Sequence, residues 1–314
     1  MSAVSATYVL VRVARVLVTV WAAATLVFVA LRLAGDPVMA LVPPDLPQDV
    51  IDEYRARFGF DKSLFEQYRL YLAAILRGDF GLSFRTGGPA LDLVTERLGA
   101  TAILMVTSLA ISVFVGVPAG IMAAFFHNRA VDRAIMGLAV FGFAMPNFFF
   151  GILLILLFTM NLQWLPASGF DGWRNLVMPT LTLGLASAGA YARLTRSSLL
   201  EVLGSPFMDT LRAKGLPERR RLFVHGLRAI LVPLVTLLGF SIGALIAGAI
   251  VTETLFAWPG IGRLLVVSVS ERDLAVVQLV IMLSAATMAT TNALVDLSLG
   301  WLDPRIGSAR RAER

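Results

Sequence analysis

Few side chains in this sequence are of the types that carry out chemistry. Cysteine is absent, and the two histidines, His127 and His225, lie far apart in the sequence. This composition excludes disulfides and thiolate metal sites, and it argues against a histidine metal centre. The only lysines are Lys62 and Lys214, and neither lies between a glycine and a Ser or Thr, as a P-loop lysine does. No Ser-His-Asp set or pair of carboxylates indicates hydrolysis, so the sequence predicts neither a catalytic nor a metal site.

Some polar residues within or next to long apolar stretches are candidates for a path through a membrane. Ionisable groups at membrane depth are functional candidates because burying them there is costly. Glu253 would gate such a path or contact an ammonium group of a substrate; alternatively it lies at the outer headgroups, paired with Arg263. Asn147 directly follows Pro146, where a helix would kink and expose carbonyl oxygens to the path.

Asn292 and Asp296 lie one helical turn apart in the last apolar stretch. Asn292 is a further candidate for lining the path. The alternative for both residues is a polar contact between two helices, without a role in transport.

The elements that must position these residues are strongly apolar. Apolar and aromatic residues make up 57% of the 314 residues and charged residues 15%, with a mean hydropathy of +0.78. Soluble domains carry about 25% charged residues. No Asp, Glu, Lys or Arg occurs in 98–128 or 134–170. Because a spanning helix needs about 20 apolar residues, we expect an all-α, polytopic membrane protein.

Six apolar segments are long enough to cross a bilayer. Two of them carry glycines four residues apart, Gly116 with Gly120 and Gly239 with Gly243, a spacing that permits close helix contact. The predicted spans lie near 9–31, 98–124, 134–160, 176–193, 229–252 and 275–299.

The distribution of charge predicts the orientation. Arg and Lys outnumber acidic residues around Arg12 and Arg15, in 125–133, in 193–228 and after Asp303. Acidic residues are in excess in 35–95, 161–175 and 256–274 taken together. The positive-inside rule then places both termini in the cytoplasm. It also explains the net charge of +6 without nucleic acid as a partner.

The N-terminal stretch has an alternative interpretation. Residues 1–30 carry basic residues, an apolar run and small residues at Ala22–Ala24, as a cleaved signal peptide does. The apolar run continues to Ala34, however, and the arginines lie far from the N-terminus, so we expect a membrane span.

Four parts follow from this layout: an N-terminal transmembrane helix (1–34), an extracytoplasmic segment with short helices (35–95), a core of five helices (96–300) and a cytoplasmic tail (301–314). Within 35–95 we expect helices over 48–59 and 62–77. The second would pack against the outer ends of the spans, or dock an incoming carrier of substrate.

The cytoplasmic loop 194–228 within the core contains a well-specified short helix. Ser205 is a helix-capping residue, Pro206 suits the first helical position, and Gly215 is a natural stop. A helix of about nine residues is marginal alone and needs a surface to pack on. Its apolar side chains could bind a partner protein, or the basic loop could rest on anionic lipid; those side chains are Phe207, Met208 and Leu211.

This segment resembles the EAA loop of permease subunits in ATP-binding-cassette (ABC) importers. It is most similar to the first permease subunit of dipeptide, oligopeptide and nickel importers, whose loop reads roughly TARAKGL. Residues 210–216 read TLRAKGL, with Leu211 in place of the usual Ala. Asp209 stands where the Glu that names the loop would fall, and Pro233 lies early in the next span, as in the family.

Five further stretches resemble the same family, in its order, and together they cover nearly the whole chain. They are Gly78–Ser83 (GDFGLS), Pro146 with Phe148 and Gly151, Met178–Gly184 (MPTLTLG), Glu253–Gly262 (ETLFAWPGIG) and Asp303–Pro304–Arg305.

The resemblance implies a type I ABC importer permease fold in which the 205–215 helix couples to a separate ATPase subunit. ATP and Mg would be bound by that partner, and this chain would hold no cofactor. The residues implied in ATPase coupling are Phe207, Met208, Asp209, Thr210, Leu211, Arg212, Ala213, Lys214, Gly215, Leu216 and Arg219.

The resemblance also implies partners and a location. The partners would be a homologous second permease, one or two P-loop ATPase subunits, an extracytoplasmic substrate-binding protein and membrane lipid, in the inner membrane of a bacterium. Peptides are the usual cargo of this family, while nickel chelates, glutathione and haem use similar permeases.

Two other classes of protein remain as alternatives at this point. A secondary transporter would use Glu253 or Asp296 to carry protons, and a membrane-embedded enzyme would need a nucleophile and a base inside the bilayer.

Overall fold

The computed structural model describes residues 6–33 and 47–302. In this part of the chain the secondary structure is helical, apart from one isolated β-bridge between Leu82 and Pro89. The expected all-α class is confirmed. The start of the predicted outer segment, 35–46, and the tail with Asp303–Pro304–Arg305 lie outside the described residues.

The helices account for most of the described chain. In order they are α1 (Ala6–Leu33), α2 (Gln48–Phe58), α3 (Leu64–Leu76), α4 (Ala90–Phe125), α5 (Ala130–Ala144), α6 (Asn147–Leu154), the π-helix π1 (Ile155–Asn161), α7 (Trp173–Leu203), α8 (Pro206–Ala213), α9 (Glu218–Arg220), the π-helix π2 (Arg221–Gly226), α10 (Leu227–Ala229), α11 (Leu231–Leu255), α12 (Ile261–Ser270) and α13 (Leu274–Leu302).

Four of these helices, α1, α4, α11 and α13, are long and apolar enough to cross a membrane. A fifth candidate is α5 paired with the segment Asn147–Asn161 (α6 and π1), and the two differ in direction by 103°. Helix α7 covers the predicted fourth span and has 31 residues, which is about 46 Å of helix. It is less apolar than the four helices above and is not among the candidate spans. The count of six spans and the orientation of the termini therefore stay predictions.

The predicted span over 134–160 is broken at the position where the sequence predicts a kink. Helix α5 ends at Ala144, Met145 adopts an extended conformation (φ −79°, ψ 126°), and α6 begins after Pro146. Proline lacks an N–H for a helical bond and disfavours helical geometry in the residue before it, so the helix breaks here. The kink expected at Pro146 is confirmed.

The described part of the chain divides into two compact units, and the first comprises 14–33, 47–101 and 259–289. Its core is formed by small and aliphatic side chains of α1, α4 and α13. Tyr71 and Ile75 of α3 pack against this core, and the hydroxyl groups of Tyr68 and Thr25 lie 2.6 Å apart. These contacts confirm that α3 packs against the spans.

Within the described residues the second unit comprises 6–13, 102–258 and 290–302, and in it α7 packs closely on α4. An added Cβ at Gly120 would lie 2.5 Å from the carbonyl oxygen of Ala192 and 2.6 Å from Cβ of Thr195. One turn earlier, Gly116 faces the carbonyl oxygen of Ala188 in the same way. The close contact predicted for this glycine pair is confirmed.

Candidate functional site

Helix α8 forms where the sequence predicts it, with Pro206 as its first residue and eight residues in all. Gly215, just past its end, has φ +75°, a conformation that glycine adopts without strain. Ser205 occupies the N-cap position, but its hydroxyl makes no capping bond. It donates instead to the carbonyl oxygen of Val202 (2.6 Å), so the expected side-chain cap is wrong.

The two faces of α8 have different surroundings. Met208 is 1% exposed and Leu211 9%, because both pack inside this chain. A Cβ added at Gly226 of π2 would lie 3.9 Å from Cε of Met208 and 2.9 Å from Cδ1 of Leu199 on α7. Phe207, in contrast, is 53% exposed. Of the three apolar side chains expected to bind a partner, only Phe207 remains available for that contact.

The outward side of α8 and the following turn carries an excess of basic residues. Arg212, Lys214 and Arg219 form no ion pair with any of the described residues. The centre of the Phe207 ring lies 6.2 Å from the centre of the His225 ring. Leu216 is half-buried. We call the following exposed set the α8 surface: Phe207, Asp209, Thr210, Arg212, Ala213, Lys214, Gly215 and Arg219.

The basic stretch after α8 is helical, as predicted, but it is irregular. Segments α9, π2 and α10 follow Pro217, and the helix is interrupted at Ile230 before α11 begins. Leu222 and Ile230 form a small core with Leu199 of α7 and Ala124 of α4. The inner face of α8 therefore rests on a packed support.

The candidates for the membrane path lie on neighbouring helices. Asn147 is half-buried, and a Cβ added at Gly248 of α11 would lie 3.5 Å from its amide nitrogen. Pro146, directly before it, is exposed. Glu253, also on α11, is completely buried in this conformation. The structure thus brings α6 beside the helix that carries Glu253.

The last pair of candidates lies on α13. Asp296 forms an ion pair with Arg12 of α1, which is the helix contact expected as an alternative for this residue. Asn292 is half-buried. In the parts of the chain that the structure describes, no group of three or more His, Cys, Asp or Glu side chains could hold a metal ion.

Two open cavities lie outside these sites, one in each unit. The first, of about 590 Å³, is lined mainly by the connection between π1 and α7, including Trp164, Asp171 and Arg174. The second, of about 330 Å³, is lined by residues that include Arg32 and Tyr71. Burial raises the pKa of Tyr71 to about 12.

One interaction escaped the sequence reasoning altogether. Asp132, in the first turn of α5, is buried and forms an ion pair with Arg196 of α7. The only local signal is that Asp132 is the single acidic residue in the basic segment 125–133. Nothing in the sequence points to its partner.

Comparison with known proteins identifies the family. Residues 116–308 match the family described as the binding-protein-dependent transport system inner membrane component. The chain belongs to this family. Over 300 residues, 95% of the chain and 98% of the relative, it is 40% identical to the glutathione transport system permease protein GsiC of Escherichia coli strain K12. The same protein of Shigella flexneri serotype 5b is 39% identical over the same shares.

A solved structure supports the fold of this inner membrane component. The chain resembles a chain of the MetNI methionine ABC transporter in inward-facing conformations, with a TM-score of 0.54 and 16% identity. The match covers 66% of this chain and 96% of the other.

Family membership settles the general role. The chain is a permease component of an ABC importer in a bacterial inner membrane, and it works with ATPase and substrate-binding partners. ATP hydrolysis belongs to those ATPase subunits and not to the permease. The alternatives of a secondary transporter and of a membrane-embedded enzyme are therefore set aside.

Proposed function

We propose that this permease imports peptides and forms half of the translocation path, with a homologous second permease as the other half. Helix α8 and its flanks, 205–215, couple the chain to separate ATPases, one or two in number, that bind ATP and Mg. An extracytoplasmic binding protein delivers the substrate. The relatives named for glutathione, which is itself a tripeptide, support a peptide-like substrate.

The arrangement of α8 carries this proposal. Its inner side is held by Met208 and Leu211 against the chain's own core, while Phe207, Arg212 and Lys214 point outward. A helix that is fixed on one side and exposed on the other can pass a displacement from a bound partner to the spans. Exposed aromatic and arginine side chains are also typical of residues that anchor protein interfaces.

The path is proposed to run along the bend and α11. Pro146 directly precedes α6, and Asn147, its first residue, adjoins Gly248 on the helix that carries Glu253. Because Glu253 is buried here, its contact with substrate would require another conformation of the importer. Asn292 on α13 is the fourth proposed path residue.

The experiment that tests the assignment begins with a tagged chain in native membranes. We expect it to co-purify with a second permease and a P-loop ATPase, identified by mass spectrometry. Reconstituted with its binding protein, the complex should take up labelled di- or oligopeptide, or glutathione, when ATP is supplied. A protonophore should leave this uptake unchanged. Uptake of a nickel chelate or haem alone would contradict the peptide assignment.

The coupling role is tested on the α8 surface. Lys214→Glu and Gly215→Asp should leave the permease inserted in the membrane. The ATPase should then no longer co-purify with the tagged permease. Lys62→Glu is the matched control, because Lys62 is the only other lysine and lies outside 205–215. Normal ATPase recovery and transport in both α8 variants would show that coupling takes place elsewhere.

A further inference from the structure

An ion pair between the buried Asp132 and the half-buried Arg196 fastens α5 to α7. Arg196 donates a hydrogen bond from Nε to Oδ1 of Asp132 (2.6 Å) and another from Nη2 to Oδ2 (2.7 Å). Asp132 also accepts a bond from the backbone N–H of Asn128 (2.9 Å), and Nδ1 of His127 lies 3.2 Å from Nη2 of Arg196. Two parallel bonds between guanidinium and carboxylate fix orientation as well as distance. Helices α5 and α7 therefore cannot slide past each other here without breaking both.

Two more residues on the same face of α7 contact α5. Arg193 donates to the carbonyl oxygen of Ala139 (3.1 Å), and its guanidinium carbon lies 4.7 Å from the centre of the Phe143 ring. A Cβ added at Gly189 would lie 2.7 Å from the same carbonyl oxygen. Gly189, Arg193 and Arg196 follow each other at helical spacing on one face. Helix α5 is thus held along much of its length.

The C-terminal end of α7 holds α8. Leu199, one turn after Arg196, is fully buried and adjoins Gly226 of π2 together with Met208 of α8. Helix α7 ends at Leu203, and α8 begins at Pro206. A displacement of α8 must therefore move the end of α7 that carries Arg196.

The other end of α5 leads to the bend. Helix α5 ends at Ala144, the chain turns by 103°, and Asn147 at the start of α6 lies against Gly248 of α11. The position of α5 therefore sets the position of the bend.

We propose that Asp132 and Arg196 are positioning residues that make α5 follow α7, so that a displacement of α8 reaches the bend at Pro146. The inference rests on the proposed coupling role of α8. Without the pair, α8 still binds the ATPase and α7 still moves with α8. Helix α5, however, then moves less than α7 does. ATP hydrolysis then continues while less substrate crosses per ATP. A purely structural pair would instead lower hydrolysis, transport and assembly together.

The test uses the complete importer in proteoliposomes and measures substrate transported and ATP hydrolysed in the same preparation. Asp132→Asn, which changes the side-chain shape least, and Arg196→Gln each break the pair. We expect transport per ATP to fall about tenfold, the size of a typical coupling effect, while hydrolysis and assembly change by about twofold or less. The control is Glu271→Gln, which breaks the more exposed pair with Arg85 (3.2 Å) and should leave the ratio unchanged.

A second experiment restores the connection between α5 and α7 with an uncharged chemical cross-link. The chain contains no cysteine, so Asp132→Cys combined with Arg196→Cys introduces a unique pair of thiols. Bridging them with a short bifunctional thiosulfonate should restore transport per ATP, and a reductant should reverse the effect. The single cysteine variants, treated alike, control for reaction elsewhere in the complex.

The possible outcomes distinguish a failure of the positioning role from a failure of the proposed function. An unchanged ratio in Asp132→Asn and Arg196→Gln, a proportional loss of hydrolysis and transport, or no recovery on bridging would overturn the positioning role. If no ATPase co-purifies with the wild-type permease, or if the wild-type complex transports no peptide when ATP is supplied, the proposed function itself is wrong.

Discussion

Ser83 donates a hydrogen bond to the carboxylate of Asp273, although 190 residues separate the two in the sequence. Both side chains are buried, and the same carboxylate accepts a bond from the backbone N–H of Phe84 (3.3 Å). Ser83 closes the GDFGLS motif, and Asp273 directly precedes α13. The motif thus ties the segment before α4 to the start of the last long helix.

Loss of this bond should destabilise the unit formed by 14–33, 47–101 and 259–289. Ser83→Ala leaves a buried carboxylate oxygen without its donor, which costs about 1–3 kcal/mol. The measurement is thermal unfolding of the purified permease in detergent. Ser270→Ala is the control at an exposed serine of the same unit, whose hydroxyl donates only to the carbonyl oxygen of Val267 in its own helix (2.7 Å). An equal effect of both changes would contradict the role given to Ser83.

The glycine contact between α4 and α7 predicts opposite effects at two positions of α4. Gly120→Ala would place Cβ 2.5 Å from a backbone oxygen, and such overpacking typically costs about 1–3 kcal/mol. Gly99→Ala meets no atom within 4 Å, so its better helix propensity should raise stability by about 1 kcal/mol or less. Melting temperatures of the two variants should move in opposite directions.

The two faces of α8 predict different defects. Met208→Ala removes a buried side chain and should lower stability by about 2–5 kcal/mol. Phe207→Ala removes an exposed ring, so the chain's own stability should hold while ATPase recovery in a pull-down falls. Melting temperature and ATPase recovery, measured on both variants, distinguish these defects. A fall in stability of Phe207→Ala as large as that of Met208→Ala would contradict the outward position of Phe207.

The predicted orientation can be tested by labelling, since the chain is free of cysteine. Phe65 on α3 is 78% exposed, and Ala213 on α8 is also exposed. Phe65→Cys should react with an impermeant maleimide in cells whose outer membrane alone is opened. Ala213→Cys should react only after the inner membrane is permeabilised. The reverse labelling pattern would show that the chain has the opposite orientation to the predicted one.

The sequence predicts local features of this fold well, because each depends on neighbours in the chain. Pro206 and Gly215 mark α8 to within a residue, and Gly59 ends α2 in a left-handed conformation. The glycine spacing at Gly116 and Gly120 correctly indicates a tight helix contact.

Interactions between distant residues could not be predicted in the same way. Asp132 and Arg196 lie 64 residues apart, and their pairing depends on how α5 and α7 pack. Helical spacing shows that Met208 and Leu211 share a face with each other, but not that π2 and α7 cover that face. The sequence predicts a kink at Pro146, but the angle of the bend depends on tertiary packing.

The bend has a consequence for the lipid around this permease. Helix α5 has 15 residues, which span about 22 Å, less than the roughly 30 Å of a bilayer's hydrocarbon core. Because the segment formed by α6 and π1 leaves at 103°, it does not extend α5 along the same axis. If α5 is the part that crosses the membrane, its apolar length is short there, and the bilayer would have to thin or a neighbouring subunit would have to fill the gap. Changing acyl-chain length would then act on the bend through hydrophobic mismatch, without any ligand.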